Sequence, residues 1–394
     1  MSTRHWVAAG LAAVVTLSVG TGCAKEQSSG GDGSSQIVIG ADLELSGPAA
    51  VQGEAYQRAL KMVQADINKT GIKVGGKTKK VKLVIRDNKS DPAESLTVAK
   101  SLINNDHVVA IVGAGASPTT IPIIPTVEKA KIPLVSMGSS GAIVTPVRKY
   151  IFKTPGNTDV IGNVMLKAFA KKKIKKVAVL SVDNPYGEAG LKEWQALDKA
   201  GKIDLVAHQK FSSEVKDLSV QATKVLAAKP DAVVVWAIPP QSGLAAKALR
   251  QKKFSGDKVY YDTGAGSELF VKGAGAASEG SYMVHSRVLA GNEITATTPA
   301  AQTEKNFFTE YSAKYGGFSG FAPMAADALN LIVAGIKKAG SADPQDIQKA
   351  MEHLSYDGAF GTYQFSPTNH GGVSESSLTV LQVKNGTWSL SDLG

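Results

Sequence analysis

The sequence predicts an α/β fold made of two doubly wound lobes of parallel sheet. Three observations lead there. Short apolar runs alternate with segments of helical periodicity, an order that argues for parallel strands with helices on both faces. The alternation breaks at Thr154-Pro155-Gly156-Asn157 and then begins again. A chain of 394 residues is also too long for one core of ordinary size.

The apolar run at 37–40 is the first expected strand. Residues 54–68 bring Ala55, Leu60, Val63 and Ile67 near one helical face, and Gly71 can end that helix. A strand at 81–86, a turn at 87–92 and a helix at 93–104 follow. Next come a strand at 108–112, a proline-containing helix at 119–129 and a strand at 133–136. After the break, helices are expected at 161–170, 187–200, 218–228 and 242–251. They alternate with strands at 176–182, 205–210, 232–236 and 259–261. A long amphipathic helix is expected at 322–338, and the tail from Gly361 onward reads as strands and hairpins. Ligands of such sheets sit beyond the carboxyl ends of the strands, and a cleft between two lobes is a usual place for a pocket. The loops that follow the strands are therefore the candidate site.

The N-terminus carries a different signal. A short basic start, Met1-Ser2-Thr3-Arg4, leads into an apolar stretch at 6–19 and then Gly20-Thr21-Gly22-Cys23. This is the pattern of a secretory signal peptide over 1–22. Cys23 is the only cysteine, so no disulfide within the chain is expected. A cysteine directly after the cleavage point resembles the lipobox of bacterial lipoproteins. Thr21 and Gly22 suit that motif, while Gly20 stands where leucine is usual. Lipid attachment at Cys23 would place the protein outside the cytoplasm, anchored to the outer face of the cell membrane. Residues 23–36 would then be its flexible tether, the 13 residues after the cysteine reaching about 20 Å on average. No second apolar run is long enough to span a bilayer, so the mature protein is expected to be soluble apart from its anchor.

The net charge is +10, with much of the excess in the lysine-rich runs at 77–82 and 171–176. Basic runs can serve nucleic acid or anionic lipid. Here each directly precedes an apolar, strand-like segment and reads as a solvated strand cap, and an exported protein rarely meets DNA. No nucleic-acid partner is expected.

The common enzyme motifs are mostly absent from the sequence. Gly113-Ala114-Gly115-Ala116-Ser117-Pro118 begins like a dinucleotide fingerprint, but Pro118 holds the place of the third glycine. There is no Walker A loop, no His-Glu-x-x-His and no Gly-x-Ser-x-Gly elbow. The six histidines are scattered without metal-ligand spacing. No metal, cofactor or catalysis is expected.

Several motifs together resemble one family. Leu45-Ser46-Gly47-Pro48-Ala49-Ala50-Val51-Gln52-Gly53 is similar to its Ser/Thr-Gly-Pro-x-Ala-x-x-Gly opening. Asp87-Asn88-Lys89-Ser90-Asp91-Pro92 is similar to its acidic turn. Val112-Gly113-Ala114-Gly115-Ala116-Ser117 and Pro133-Leu134-Val135-Ser136 look like its two ligand-holding strand-to-loop units. Asp183-Asn184-Pro185-Tyr186-Gly187 looks like its Asp-x-x-Tyr-Gly. Each motif is short, and their order and spacing give the match its strength. The chain thus resembles, from Ile37 to about Val383, the substrate-binding lipoproteins of ABC importers in the branched-chain amino-acid-binding, type I periplasmic binding protein group. The resemblance implies a type I fold, with one lobe over 37–154 and 285–360 and the other over 155–284 and 361–394. A hinge would join them around a ligand cleft.

The resemblance also implies site residues. Ser117 follows a strand and starts a helix, so its hydroxyl and the nearby N–H groups suit a carboxylate, though the same serine can serve only as a helix cap. Ser139 would offer a backbone N–H and Ser140 a hydroxyl, in a place where the family more often has Ala-Thr. Gln52 stands where relatives often have an aromatic wall, and is either a polar wall or a solvent-facing residue. Tyr186 is similar to the family's pocket tyrosine. The family's ammonium-binding acid has no direct counterpart. Either Asp262 supplies it with a one-residue shift, or Thr263 replaces it with a neutral hydroxyl. Trp236 either faces the cleft or packs in the core, and Ala326-Asp327 replaces a pair that often lines the pocket.

The expected function is capture of a small amino acid, branched-chain or related, by a monomeric solute-binding protein that delivers it to an ABC permease and its ATPase. The alternatives are a sensing module signalling to a separate membrane partner, a binding protein for an amide, urea-like or organic-acid solute, and an exported hydrolase.

Overall fold

The computed structural model describes residues 35–394. Cys23, the signal segment 1–22 and almost all of the expected tether lie outside the described residues. Among the described residues, no helix is long and apolar enough to cross a membrane.

In chain order the first group of elements is β1 (Gln36–Leu43), α1 (Ala50–Thr70), β2 (Ile72–Val74), β3 (Lys77–Asp87), α2 (Pro92–Asn104), β4 (Ala110–Gly113), α3 (Ser117–Ala130), β5 (Leu134–Ser136) and β6 (Ile151–Lys153). The second is α4 (Thr158–Lys172), β7 (Lys176–Val182), α5 (Pro185–Lys199), β8 (Asp204–Phe211), α6 (Ser219–Ala227), β9 (Ala232–Trp236), α7 (Gln241–Gln251), β10 (Val259–Tyr261), α8 (Glu268–Ala274) and β11 (Tyr282–His285). The chain then adds α9 (Pro299–Tyr315), α10 (Ala322–Ala339), α11 (Pro344–Met351), β12 (Ser355–Asp357), β13 (Thr362–Gln364), β14 (Thr379–Lys384) and β15 (Thr387–Leu390).

Two large sheets result, in the orders β2-β3-β1-β4-β5-β6 and β15-β14-β11-β10-β9-β7-β8. The first is parallel apart from its edge strand β2, and the second is parallel from β11 to β8. Helices α1 and α10 pack together on one side of the first sheet, with α2 and α3 paired on the other. Burial on both faces is why β9 reads Ala-Val-Val-Val-Trp without a polar residue. Strand β1 lies between β3 and β4, and β7 between β8 and β9. In each sheet the order turns at that strand, and the crevice beyond its carboxyl end is the expected ligand position.

The starts of helices follow their sequences closely. Asp91 accepts the N–H groups of Ala93 and Glu94 at the start of α2, and Asn184 accepts those of Tyr186 and Gly187 at the start of α5. Both helices carry proline in their first turn, where its missing N–H costs nothing.

Several expectations need correction. The lysines at 77–82 do not precede a strand. They form its first half, because Gly75 and Gly76, both at positive φ, close a two-residue hairpin that pairs β2 with β3. The lysines at 171–176 end α4, with Lys173 left-handed at its C-terminus and Lys176 opening β7. The expected amphipathic helix is α10, which is buried around most of its circumference between α1, α11 and the first sheet. Helices α8, α9 and α11 occupy stretches where the periodicity predicts nothing. In α9 only Ala301, Glu304, Phe307 and Tyr311 are buried, too sparse an apolar stripe to stand out.

Candidate functional site

The carboxyl ends of both sheets open into one cavity of about 370 Å³. Its first wall comes from the loops after β1, β4 and β5, and its second from the loops after β7, β9 and β10. Phe321 and Met324, at the start of α10, add apolar surface.

The first wall is held together by backbone and carboxylate hydrogen bonds. Asp87, at the end of β3, accepts the N–H groups of Leu45 (2.9 Å), Ser46 (3.2 Å) and Lys89 (2.8 Å) and the Ser46 hydroxyl (2.7 Å). Burial alone would raise its carboxyl, but the Ser46 hydroxyl and these N–H groups outweigh it and leave the group below the usual range. The opening motif and the acidic turn are thus one structural unit. Ser117 is the first residue of α3, with Ala116 as its cap. Its Oγ accepts the N–H of Ser140 at 3.1 Å, joining the loops after β4 and β5. Ser139 borders the cavity, and its carbonyl accepts from the buried ammonium nitrogen of Lys153 at 2.7 Å.

Beneath these loops lies a pair of acids that the motif comparison does not single out. Asp42 and Glu44, two residues apart, share one face of the β1 end. Both are fully buried. Asn88 donates to both, at 2.8 Å to Asp42 and 3.2 Å to Glu44. Ser95 gives Asp42 a further bond at 2.6 Å. Burial lifts Asp42 to about 8, with the Glu44 charge adding to the effect, and burial likewise raises Glu44. Glu44 borders the cavity, as does Tyr56, whose ring meets Phe321 edge-on. The signal for the pair was present in the sequence. Charged residues alternate at 42 and 44 at the end of an otherwise apolar run, which no solvent-facing loop would require.

In the second wall Tyr186 donates its hydroxyl to the Asp262 carboxylate. Its ring lies 6.1 Å from that of Trp236. Burial raises Asp262 to about 7, although the Tyr186 hydroxyl pulls the other way. Thr263 sits in a short 3-10 turn, Thr263–Ala265, and borders the cavity.

Of the residues singled out from the sequence, Gln52, Ser117, Ser139, Tyr186 and Thr263 lie on the cavity wall. Ser140, Trp236 and Asp262 do not. Ser140 caps the turn Gly141–Ile143 by accepting the N–H of Ala142, and borders a separate recess beside Thr158 and Glu188. Trp236 is wholly buried, with Tyr186 between it and the cavity. Asp262 is wholly buried beside Tyr186. Asp327 also lies away from the wall, accepting the N–H groups of Ala359 and Phe360 and the Tyr363 hydroxyl. Among the described residues no cluster of His, Cys, Asp and Glu is arranged to hold a metal ion.

A family model described as a periplasmic binding protein matches residues 36–387. The Leucine-, isoleucine-, valine-, threonine-, and alanine-binding protein of Pseudomonas aeruginosa is 28% identical over 347 residues, covering 86% of this chain and 87% of its own. An extracellular ligand-binding receptor from Rhodopseudomonas palustris HaA2 superposes with a TM-score of 0.81 at 26% identity, covering 90% of this chain and 99% of its own. The branched-chain amino acid transporter substrate binding protein LivJ of Streptococcus pneumoniae, solved in complex with isoleucine, superposes with a TM-score of 0.76 at 25% identity, covering 90% and 97%. The chain therefore belongs to the periplasmic binding protein family, with its type I fold, in the group of the Leu/Ile/Val-binding proteins, and is a solute-binding protein rather than an enzyme.

Proposed function

We propose that the chain is the extracytoplasmic solute-binding component of an ABC importer and that its ligand is a small amino acid, branched-chain or related. One observation carries the reading: a single cavity joins the strand ends of both sheets, with hydroxyls and a helix start on its first wall and a tyrosine and a threonine on its second. The ligands named for the Pseudomonas and Streptococcus relatives support it. In this reading the ligand carboxylate meets Ser117 and Ser139 and the N–H groups at the start of α3, which have no partner within the helix. Ser140 acts through its N–H bond to Ser117. Tyr186 and Thr263 close from the other side, with Asp262 orienting the tyrosine.

The lobes of this reading are 37–154 with 285–360 and 155–284 with 361–394. Contacts made to both at once favour the closed form, and that difference in affinity shifts the population. The closed monomer then docks on a membrane permease, with Cys23 carrying the lipid that keeps it at the membrane.

A thermal-shift screen of purified protein against amino acids, amides and organic acids tests the ligand class. A ligand at 100 times its dissociation constant adds about 2.7 kcal/mol of stability. Stabilisation by leucine, isoleucine or valine is expected. Stabilisation only by amides or simple acids would keep the solute-binding role and overturn the amino-acid assignment.

A further inference from the structure

We propose that Glu44 receives a protonated amine of the ligand, so that the positive group is held by the first wall of the cavity and not by Asp262. The proposal rests on the amino-acid reading above and adds the residue that recognises the amine.

The two oxygens of Glu44 are used differently. Oε1 accepts three bonds from protein: the N–H of Ala116 at 3.1 Å, the Thr119 hydroxyl at 2.5 Å and the Asn88 amide at 3.2 Å. Oε2 is buried and has no protein partner. It belongs to a side chain that borders the cavity. A buried carboxylate oxygen left without a donor is costly, so a donor arriving with the ligand would gain the full interaction.

Gly115 makes room for that oxygen beneath the loop after β4. A Cβ on Gly115 would stand 2.2 Å from Oε2 and 2.7 Å from the Tyr56 ring. The missing side chain at 115 is what lets Oε2 and the loop after β4 come so close.

The surroundings supply no counter-charge. The groups facing Glu44 are Asp42 from the end of β1, Asn88 from the turn after β3, Tyr56 from α1, and Ala116 and Thr119 from the start of α3. None is a cation. The cavity wall as a whole carries no Lys, Arg or His among the described residues, and its only other acid, Asp183, is paired with Lys210 at 3.2 Å. Without a counter-ion, burial pushes Glu44 toward its neutral form, and a ligand ammonium would supply the charge that keeps it ionised. Asp262 also keeps one oxygen, Oδ1, without a side-chain or other protein partner, but it does not border the cavity, where Tyr186 stands in front of it.

The bond between Glu44 and the cap of α3 then brings the sites for both polar ends of an amino acid side by side. Glu44 is bonded to the N–H of Ala116, and Ser117 is the next residue. The second wall is left to close over the side chain.

The test compares amino acids with their desamino analogues. L-leucine, L-isoleucine, L-valine, L-threonine and L-alanine are titrated calorimetrically, each beside the acid that lacks its amine, into the wild-type protein and Glu44→Gln. The wild type is expected to bind at least one amino acid and to prefer it to its desamino acid by about 100-fold or more, the scale of a buried charge pair. Glu44→Gln keeps the shape and one acceptor oxygen for the three protein donors, and turns an N–H₂ toward the cavity. It should lose that preference while still binding the desamino acid. A variant that has simply failed to fold loses both ligands, and in that case the preference of the wild type is compared with that of Gly115→Ala, whose methyl group would stand 2.2 Å from Oε2 and so forces the carboxyl off its present position. An amine preference that survives both substitutions overturns the assignment of Glu44 and leaves the amino-acid reading standing. Binding of desamino acids alone by the wild type overturns both.

Discussion

Lys153 is wholly buried at the end of β6, donating to the carbonyls of Ser139 at 2.7 Å and Gly156 at 3.4 Å. Burial pulls its ammonium down from 10.5 to about 7, with Asp159 the charge that opposes the shift. Between about 7 and 10.5, then, the unfolded chain holds a proton at this position that the folded chain does not. The unfolded state binds more protons, so stability rises with pH across that window, by about 1.4 kcal/mol per pH unit from this one group. Moving from about pH 8.0 to about pH 9.5 should add about 2 kcal/mol. Lys153→Met keeps most of the stem's volume and removes only this titration. Urea unfolding of both proteins at the two pH values, read as the difference between them, isolates the effect from every other lysine. The wild type should gain about 2 kcal/mol over the variant as the pH rises. Parallel pH dependences would refute the reasoning, because they would mean that Lys153 is solvated and charged in the fold. The absolute stability of the variant is less informative, since two carbonyls also lose a donor.

Two further substitutions test assignments made from packing. Trp236→Ala should cost about 3–5 kcal/mol in urea unfolding, the price of a large cavity at a fully buried ring, and a loss below about 1 kcal/mol would contradict its place in the core. Asp327→Asn offers one acceptor oxygen where three donors now meet two, so unfolding free energy should fall by about 1–3 kcal/mol. An unchanged value would show that Ala359, Phe360 and Tyr363 find other partners.

Much of the fold was legible because its central strands are buried on both faces. The run at 232–236 is wholly apolar and that at 176–182 is apolar apart from Lys176 and Ser181, and they are β9 and β7 respectively. The sequence predicts no helical segment directly before strands β6 and β11 to mark a β-α-β step, and the expected alternation passes over both. The site was legible in its backbone motifs, since a serine opening a helix after a strand has a local signature. The second wall was legible only in Tyr186, with residues 262 and 263 left as alternatives. Whether residue 262 or 263 meets the cavity depends on Tyr186, which is 76 residues away and donates to the carboxylate of one of them. Nothing in the order Asp262-Thr263-Gly264 encodes that contact.

The hairpin of β2 and β3 has a consequence for how copies of the protein meet. A sheet exposes ladder groups at its edges, and each edge is a template for another strand. At the β6 edge the chain closes over itself, with the N–H of Lys153 donating to the carbonyl of His370. Among the described residues no strand pairs with the outer side of β2. The sheet ends there in a strand of three residues flanked by Lys73, Lys77, Lys80 and Lys82, all exposed. Two such edges brought together would set like charges against each other, so the same lysines that give the chain its basic balance keep neighbouring molecules from joining sheet to sheet at high local concentration.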